Sequence, residues 1–495
     1  MIVSLRRKKD RDSAFLAFTR SICPQCKQVI DAHIVTRDGR VYMQKRCPPH
    51  GQFEVEISSD ADYYVKSLSY TKPGTVPLRF DTKVQHGCPL DCGLCEDHLQ
   101  HTCSPILEIN DKCDLTCPVC IVRNQQRYGM SMESFKTAVD RLVDAEDELP
   151  ILLLSGGEPT LHPDLPGLLE MCREAGIERL TISTNGLRLR DETLVRRLAE
   201  LEARIVLSLD TFHPDTDRAL LGANTVAAKL QVLDLLEKHN VTVTILPAIA
   251  AGYNDSEVGR LLHQVLTRPN ILSLELHTLC FTGQGGVGFN RGARITIPDL
   301  HRRIDEATQG RITANDFVPS PLAHPHCYSI CYLLCLDDGG YVPFTRLISR
   351  AVLFDLLSDS LYIEPREKLE RVFLGVVDRL WAEPDACPES ERVLRAIKRL
   401  LNQLFPPGVP TLSLTERRRI AERSAKAIYI HSHMDEETFD AGRVMKCCVG
   451  VPAPDGTNIP TCSYNVLYRE KDPRFAAKPM LDRMRHARLQ EGHAP

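Results

Sequence analysis

Residues 105–120 read PILEINDKCDLTCPVC, an apolar run followed by three closely spaced cysteines. The run 106–109 predicts a buried strand, and residues 131–149 have the apolar periodicity of a helix. Cys113, Cys117 and Cys120 are therefore expected on a loop that follows a strand. Three thiolates can hold three irons of a 4Fe-4S cluster, so this loop predicts a catalytic cluster whose fourth iron stays open to a ligand.

The same Cys-x3-Cys-x2-Cys spacing occurs a second time, just upstream of that loop. Cys88, Cys92 and Cys95 lie in HGCPLDCGLC, and Cys103 follows in QHTCSP. Four thiolates saturate a cluster, which can then only store or pass electrons. We therefore predict an auxiliary iron–sulfur segment at residues 81–104, with these four cysteines as its ligands.

Short apolar runs alternate with amphipathic stretches across residues 105–300, which predicts an α/β core, a partial (β/α)6 TIM-like barrel. Ligands in such folds gather at the carboxyl ends of the strands. One such end carries the sequence GGEP at 156–159, where glycines let the backbone approach a ligand and a carboxylate can accept from an ammonium group. The predicted strands are 106–109, 151–155, 180–183, 205–209, 241–246 and 272–276.

The first 80 residues have the pattern of a small β-rich module with two metal-knuckle sequences. Cys23 and Cys26 form the first knuckle, and Cys47 and His50 form the second in CPPHG. Together they would complete a tetrahedral site for zinc or a rubredoxin-like iron, and the spacing does not distinguish the two. The alternative interpretation is a pair of turns whose cysteines are unreactive.

Residues 301–495 differ from the core and predict an α+β domain, with a helical stretch at 364–404 and scattered cysteines. A further cluster is predicted to be held by Cys447 or Cys448, by Cys462 and by a cysteine of the 327–335 group, for which we favour Cys327. The alternative is a cysteine-rich core, since buried free cysteine packs as a small hydrophobe. His431 and His433 are either a substrate or metal contact or, as we favour from sequence, part of a polar surface segment.

Composition limits the remaining function classes. The net charge of −4, with 61 basic against 65 acidic residues, and an aromatic content of 6% argue against a nucleic-acid partner. Nineteen cysteines in a long chain without a recognisable signal peptide, grouped at metal spacings, predict a reducing cytoplasm. The apolar runs are too short to span a bilayer, so we expect at most peripheral membrane contact.

The cysteine loop, GGEP, LTISTNG at 180–186 and LSLD at 207–210 together resemble the radical S-adenosylmethionine superfamily. The resemblance implies a 4Fe-4S cluster whose open iron chelates S-adenosylmethionine and cleaves it to a 5'-deoxyadenosyl radical. It also implies that Leu246 lies near adenine. Singly, Asn185-Gly186 is also a turn signal, and Ser208 or Asp210 also suits a helix cap. The implied contacts to the methionine, carboxylate and ribose groups are Gly156, Gly157, Glu158, Pro159, Ser183, Thr184, Asn185, Ser208 and Asp210.

The longer pattern, which adds HPHCYS at 324–329, HSHMDEETFD at 431–440 and IPTCSYN at 459–465, resembles the tetraether lipid synthases and their bacterial relatives. Some members of that family were described as pterin methyltransferases. The resemblance implies one or two auxiliary clusters, a reductant such as flavodoxin or ferredoxin, and coupling of two lipid alkyl chains. Radical methylation of a pterin or another small heterocycle is the alternative. The family pattern has a cysteine where Ala323 stands here, which leaves the fourth ligand of the C-terminal cluster open.

Overall fold

The computed structural model describes residues 11–146, 149–286, 288–358, 360–387, 389–407, 412–453 and 455–476. The predicted helix over 131–149 is present from Met132 to Glu146, and residues 147 and 148 lie outside the described part. The same holds for the first ten residues of the N-terminal module and for residues 477–495 of the C-terminal one.

The N-terminal module is β-rich, as predicted: it is an antiparallel four-stranded sheet, followed by one helix that the sequence analysis did not predict. Alternate side chains along its strands are buried, and Ile34, Met43 and Tyr64 form its small core. The helix begins after Asp60, whose carboxylate accepts from the Tyr63 N–H. The elements are β1 Ala14–Ile22, β2 Val29–Arg37, β3 Arg40–Cys47, β4 Gly51–Ser58 and α1 Ala61–Leu68.

The core is a parallel β/α series, which confirms the predicted fold class. All six predicted strands are present and pair in sequence order, and their Ile-, Leu- and Val-rich runs are buried because helices cover the sheet. The strands are β5 Ser104–Asn110, β6 Ile151–Gly156, β7 Arg179–Thr184, β8 Arg204–Leu207, β9 Val243–Ile245, the short β10 Ala248–Ile249, and β11 Ile271–Thr278. The helices are α2 Met132–Glu146, α3 Leu165–Glu174, α4 Glu192–Glu200, α5 Pro214–Leu221, α6 Val226–Lys238, α7 Val258–Thr267 and α8 Ile297–Thr308.

The C-terminal part does not form a sheet of its own. Its strand β15 pairs in parallel with β11, and β16 pairs in parallel with β5, so the core sheet is extended at both edges. The predicted boundary at residue 300 therefore does not divide the sheet. The elements are β12 Val318–Pro319, β13 Tyr328–Cys335, β14 Tyr341–Pro343, α9 Arg350–Leu356, α10 Glu367–Ala382, α11 Ser390–Leu404, α12 Leu414–Ser424, β15 Ala425–His431, α13 Ala441–Met445, β16 Val449–Pro452, β17 Asn458–Pro460 and α14 Thr461–Ser463.

The predicted helical stretch 364–404 is two helices, because the turn containing Pro384 separates α10 from α11. These helices pack over β13 and β15 around a second hydrophobic core that includes Phe373 and Leu400. Among the described helices, no single one has the length and apolarity of a membrane span; only α5 and α6 taken jointly pass that test, with a bend of 94° between them.

Candidate active site and metal centres

The loop that carries Cys113, Cys117 and Cys120 is closed by a buried carboxylate. Asp111 lies directly after β5 and is fully buried. Its two oxygens accept from the backbone N–H groups of Gln125, Arg127 and Tyr128, at 3.1, 2.6 and 2.6 Å. Asp111 thereby ties the end of the cysteine loop back to its beginning. Sequence analysis missed this residue, although its place directly before the cysteines was visible.

A second loop, which follows β11, clamps the cysteine loop from the other side. The N–H groups of Gln284 and Gly286 donate to the carbonyls of Cys120 and Pro118, at 3.1 and 3.2 Å. Gly283 has a φ of +67°, and a Cβ there would lie 2.2 Å from the Ile121 carbonyl oxygen. Only glycine fits this approach, which makes Gly283 part of the support of the candidate cluster loop.

The three cysteines are half-buried, and their surroundings raise the pKa values of their thiols. Burial raises the pKa of Cys113 to about 11, and burial also raises the pKa values of Cys117 and Cys120. Negative charge on Cys120 and Asp210 raises the pKa of Cys117 further, which places these groups close together. Bound iron would supply the positive charge that such thiolates need. The donor set therefore fits a 4Fe-4S cluster.

The GGEP segment comes against this loop through its glycines. A Cβ on Gly156 would lie 2.0 Å from the Asn110 carbonyl oxygen, and one on Gly157 would lie 2.2 Å from that of Lys112. The Glu158 N–H donates to the same Lys112 carbonyl at 2.6 Å. The end of β6 is thus pressed onto the start of the cysteine loop, an approach that requires both glycines.

The Glu158 carboxylate is buried and is held by donors of the protein itself. It is 1% exposed and accepts from the Thr160 N–H and hydroxyl, the Thr184 hydroxyl and the Asn185 N–H, at 2.6 to 3.0 Å. Burial raises its pKa, and these donors oppose that shift. Glu158 therefore joins the ends of β6 and β7, while Pro159 begins a short turn beside it.

The other predicted cofactor contacts follow β7, β8 and β9. The Asn185 amide donates to Asp114 in the cysteine loop at 2.6 Å, which links β7 to that loop. Ser183 is half-buried at the end of β7, and the Ser208 N–H donates to the Thr184 carbonyl at 3.1 Å. Leu246 follows β9 and lines the large cavity described below. These residues share the carboxyl end of the sheet with the three cysteines.

Asp210 forms a buried charge pair that sequence analysis did not find. Its Oδ1 accepts from the Ala248 N–H at 2.8 Å, and its Oδ2 lies 3.9 Å from the Nζ of Lys229 on α6. Lys229 Nζ and Asp210 Oδ2 have no hydrogen-bond partner within the described residues. Burial raises the pKa of Asp210, and Lys229 lowers it. Both charges also act on Cys117, so the pair lies beside the candidate cluster.

The N-terminal knuckles meet as predicted. Cys23, Cys26, Cys47 and His50 each place a ligand atom within 4.8 Å of the others. The His50 Nδ1 lies 3.5 Å from the Cys23 Sγ and 3.4 Å from the Cys47 Sγ. Burial opposes ionisation of Cys23, but the N–H groups of Cys26 and Gln25 donate to it and lower its pKa to about 6. This is the donor set of a tetrahedral metal site.

The upstream cysteine group differs from its predicted composition. Cys88, Cys92 and Cys95 line one small cavity, and the Asp91 carboxylate braces their loop by accepting from the N–H groups of residues 85, 86 and 87. Cys103 lies elsewhere: its N–H donates to the Cys448 carbonyl at 2.8 Å, and its side chain packs against the hydrophobic cluster that contains Cys448. The cavity lining includes Asp97 and His98 instead.

The C-terminal cysteines come from separate segments to one cavity. Cys327, Cys447, Cys448 and Cys462 line it together with Ala323. The Arg443 guanidinium, buried here, donates to the Cys327 Sγ at 3.4 Å. Cys331, in contrast, packs in the main core. Of Cys327 and Cys331, only Cys327 therefore lies with the C-terminal cysteines that line this cavity.

Three histidines that sequence analysis did not connect lie next to that cavity. His277, at the end of β11, meets His431 and His433, with one nitrogen of each within 4.8 Å of the others. Burial, and then the neighbouring histidines, lower the pKa values of His431 and His433 well below the usual range. The prediction of a polar surface segment was wrong, because the buried strand β15 ends at His431 and carries both residues inward.

A large cavity begins at the histidines and runs through the interior of the sheet toward α10 and α11. It contains about 1510 Å³ of free space, part of it open to solvent. Most of its lining is apolar, from Ile106, Leu153, Val206, Leu246, Phe373 and Leu400 among others. Its polar groups mostly have partners: Glu422 pairs with Arg179 and Arg204, and the Lys426 Nζ donates to backbone carbonyls.

Comparison with known proteins matches residues 107–265 to the radical SAM superfamily and residues 15–59 to the HMPTM N-terminal zinc ribbon domain. The chain is 28% identical over 92% of its length to 7,8-dihydro-6-hydroxymethylpterin dimethyltransferase of Methanocaldococcus jannaschii, and covers 94% of that protein. It is 26% identical over 44% of its length to GTP 3',8-cyclase of Tolumonas auensis, covering 66% of it. Among solved structures, Streptococcus suis SuiB bound to S-adenosylmethionine matches 42% of this chain and 48% of that one, at 20% identity and a TM-score of 0.37.

Proposed function

Because this chain is a radical S-adenosylmethionine enzyme, we propose that it abstracts hydrogen from an alkyl chain of a membrane lipid and joins two such chains through a new C–C bond. The observation that carries the proposal is the large, mostly apolar cavity, whose lining includes the candidate cofactor residue Leu246. Because its polar groups are mostly paired within the protein, the middle of the cavity offers few partners to a heterocycle.

Different residues of the chain would bind the cofactor and the substrate. Cys113, Cys117 and Cys120 would hold the catalytic cluster, and Gly156, Gly157 and Asn185 would position the cofactor against it. When bound, the cluster and S-adenosylmethionine would supply a 5'-deoxyadenosyl radical for hydrogen abstraction. Joining two chains would use two S-adenosylmethionine molecules and one electron for each, so that one hydrogen atom leaves each chain as 5'-deoxyadenosine forms. The cavity walls would exclude water from that carbon and align the chain. A flavodoxin or ferredoxin would supply the electron.

We further propose two auxiliary clusters, one held by Cys88, Cys92 and Cys95 and one by the C-terminal set. Each group of thiols lines a common cavity, which is the arrangement that soft thiolate ligation requires. The fourth donor of the first cluster is left unassigned, since Cys103 lies against Cys448. The ribbon site would hold a single zinc or iron ion.

Peripheral membrane contact fits the surface of α10. Leu369 and Phe373 on this helix line the cavity, while Leu374 and Trp381 on its outer side are 48% and 71% exposed. Exposed aromatic and aliphatic side chains on an amphipathic helix are typical of interfacial binding. We therefore propose that α10 lies against the membrane and admits the lipid chain. Trp381→Ala is expected to weaken binding to anionic phospholipid vesicles in a flotation assay.

Methylation of a pterin is the second candidate, favoured by the activity for which the similar Methanocaldococcus jannaschii dimethyltransferase is named. The two candidates separate in one anaerobic incubation with S-adenosylmethionine and dithionite, analysed by mass spectrometry. Coupling predicts lipids at the combined mass of two parents less two hydrogens, together with 5'-deoxyadenosine. Unchanged lipids and a pterin heavier by one or two methyl groups would overturn the coupling proposal and support the second candidate.

A further inference from the structure

The three histidines are brought together by strand pairing rather than by sequence spacing. His277 and His431 are directly paired residues in the parallel ladder between β11 and β15, and His433 follows two residues later. The rings of His277 and His433 have centroids 5.0 Å apart, and those of His431 and His433 lie 4.0 Å apart. All three line the large cavity.

A carboxylate stands behind this group. The Glu275 Oε1 lies 2.9 Å from the His277 Nε2, at hydrogen-bond distance, and 3.9 Å from the His431 Nδ1. A carboxylate that accepts from one ring nitrogen of a histidine orients the ring and leaves its other nitrogen for a metal ion. This is the usual support of a metal-binding histidine.

One nitrogen of the group is buried without a partner. The His431 Nδ1 is closed off from solvent, and no described residue hydrogen-bonds to it. A buried polar atom without a hydrogen-bond partner destabilises the fold, so proteins rarely leave one without a use. The ring is also held rigidly, since it stacks on Tyr328 with centroids 3.8 Å apart.

We propose that His277, His431 and His433 bind one divalent transition-metal ion, Zn²⁺ or Fe²⁺, at the head of the large cavity. Imidazole suits both ions, and three histidine ligands leave a fourth position for an oxygen ligand from the cavity. The site is separate from the cysteine loop and from the ribbon. It adjoins the C-terminal cysteines, since the His433 Nδ1 lies 3.7 Å from the Cys462 Sγ. The metal site does not depend on which substrate the enzyme takes.

The test counts metal atoms in excess of sulfide in full-length protein purified anaerobically. A 4Fe-4S cluster contributes equal iron and sulfide, so the excess of total transition metal over acid-labile sulfide reports the mononuclear ions. We expect an excess of about two per wild-type chain, from the ribbon and the histidines, and about one in His277→Gln or His433→Gln. His301→Gln is the matched control, a buried histidine on α8 outside the group, and it should keep the wild-type value.

The proposal would be overturned if wild type, His277→Gln and His433→Gln all had the same excess of transition metal over acid-labile sulfide. Unchanged sulfide per chain shows that a variant is folded. If the histidine variants lose sulfide, their metal content no longer tests the site. Glu275→Gln then tests it, because this variant keeps all three imidazole ligands. Loss of a carboxylate partner weakens metal binding by about 10- to 100-fold, so the second metal should leave at a correspondingly lower chelator concentration. Equal chelator sensitivity in Glu275→Gln and wild type would contradict the site.

Discussion

The cysteine loop after β5 and the C-terminal cysteine group are built in opposite ways. Cys113, Cys117 and Cys120 lie within one short loop, whereas Cys327, Cys447 and Cys462 come from the start of β13, the end of α13 and α14. The first group is visible in the sequence because its spacing is local. The second exists only after β13, β15 and β16 have joined the core sheet. Metal ligands that lie close together in the sequence can be predicted from their spacing, whereas ligands from distant segments can be recognised only once the fold is known.

The two cysteine groups also differ in how far they depend on residues that are distant in the sequence. The local loop is short, so closing it costs little chain entropy. Its exact shape nevertheless depends on distant residues, since Gly283 clamps it and Lys229 sits beside Cys117. The C-terminal group depends on distant residues for its existence as well as its shape. The predictions below separate these two kinds of dependence.

The largest effect is expected from Cys117→Ala. Removing one of three ligands from the local loop should abolish 5'-deoxyadenosine formation, because the open iron is then no longer held in place. Product nucleoside is measured by liquid chromatography after anaerobic incubation with dithionite. Cys172→Ala, a cysteine in the hydrophobic core, is the control and should retain the activity. Wild-type cleavage by Cys117→Ala would refute the assignment of the loop.

Cys462→Ala should separate the two groups. The C-terminal cluster is expected to be lost, with a fall of about four irons and four sulfides per chain. Cleavage of S-adenosylmethionine should continue, because the local loop is intact, while the coupled product disappears. Cys335→Ala, on the neighbouring strand β13, should change neither quantity. A simultaneous loss of cleavage would show that the two regions are not independent.

Lys229→Met tests the distant support of the local loop. It leaves the Asp210 carboxylate buried without its cation, which costs about 3–5 kcal/mol when one partner of a buried pair is removed. The measurement is the thermal unfolding midpoint of the anaerobic protein. Lys238→Met, at the exposed end of the same helix, should stay within about 0.5 kcal/mol of wild type. Equal stability of the two variants would mean that the pair is not formed.

The smallest effect on the core chemistry is expected from Cys47→Ala. The ribbon should lose its metal ion, one equivalent per chain by elemental analysis, and unfold at a lower temperature. The rate of 5'-deoxyadenosine formation should not change, because the ribbon contacts the loop before α13 rather than the cysteine loop. For example, the Ser21 hydroxyl donates to the Phe439 carbonyl at 2.6 Å. A lower rate would show that ribbon folding is transmitted to the core.

The sequence predicted the six core strands well because each has a short apolar run followed by a helix of clear period. It did not predict that β15 would pair with β11, since strand pairing between distant segments leaves no local pattern. The same limit explains why His431 and His433 were wrongly predicted to lie in a polar surface segment. The apolar run AIYI before His431 was the available signal that this segment is a buried strand.

The protein donors to Glu158 could not be predicted from its charge alone. A carboxylate at the end of a strand suits an ammonium ligand, but Thr160, Thr184 and Asn185 supply its donors. Those donors lie on a neighbouring strand and turn, so their approach could not be read from the GGEP sequence. The glycines of the same segment were interpretable, because close backbone approach is the common reason for paired glycines.

The most direct test of the account follows one hydrogen atom. The anaerobic enzyme is incubated with S-adenosylmethionine, dithionite and phospholipids whose alkyl chains are fully deuterated, and the mass of the released 5'-deoxyadenosine is measured. If the radical acts on an alkyl chain in the large cavity, the nucleoside gains deuterium and coupled lipid appears. Release of 5'-deoxyadenosine without deuterium, from an enzyme that turns over in the presence of the labelled lipid, would contradict the account.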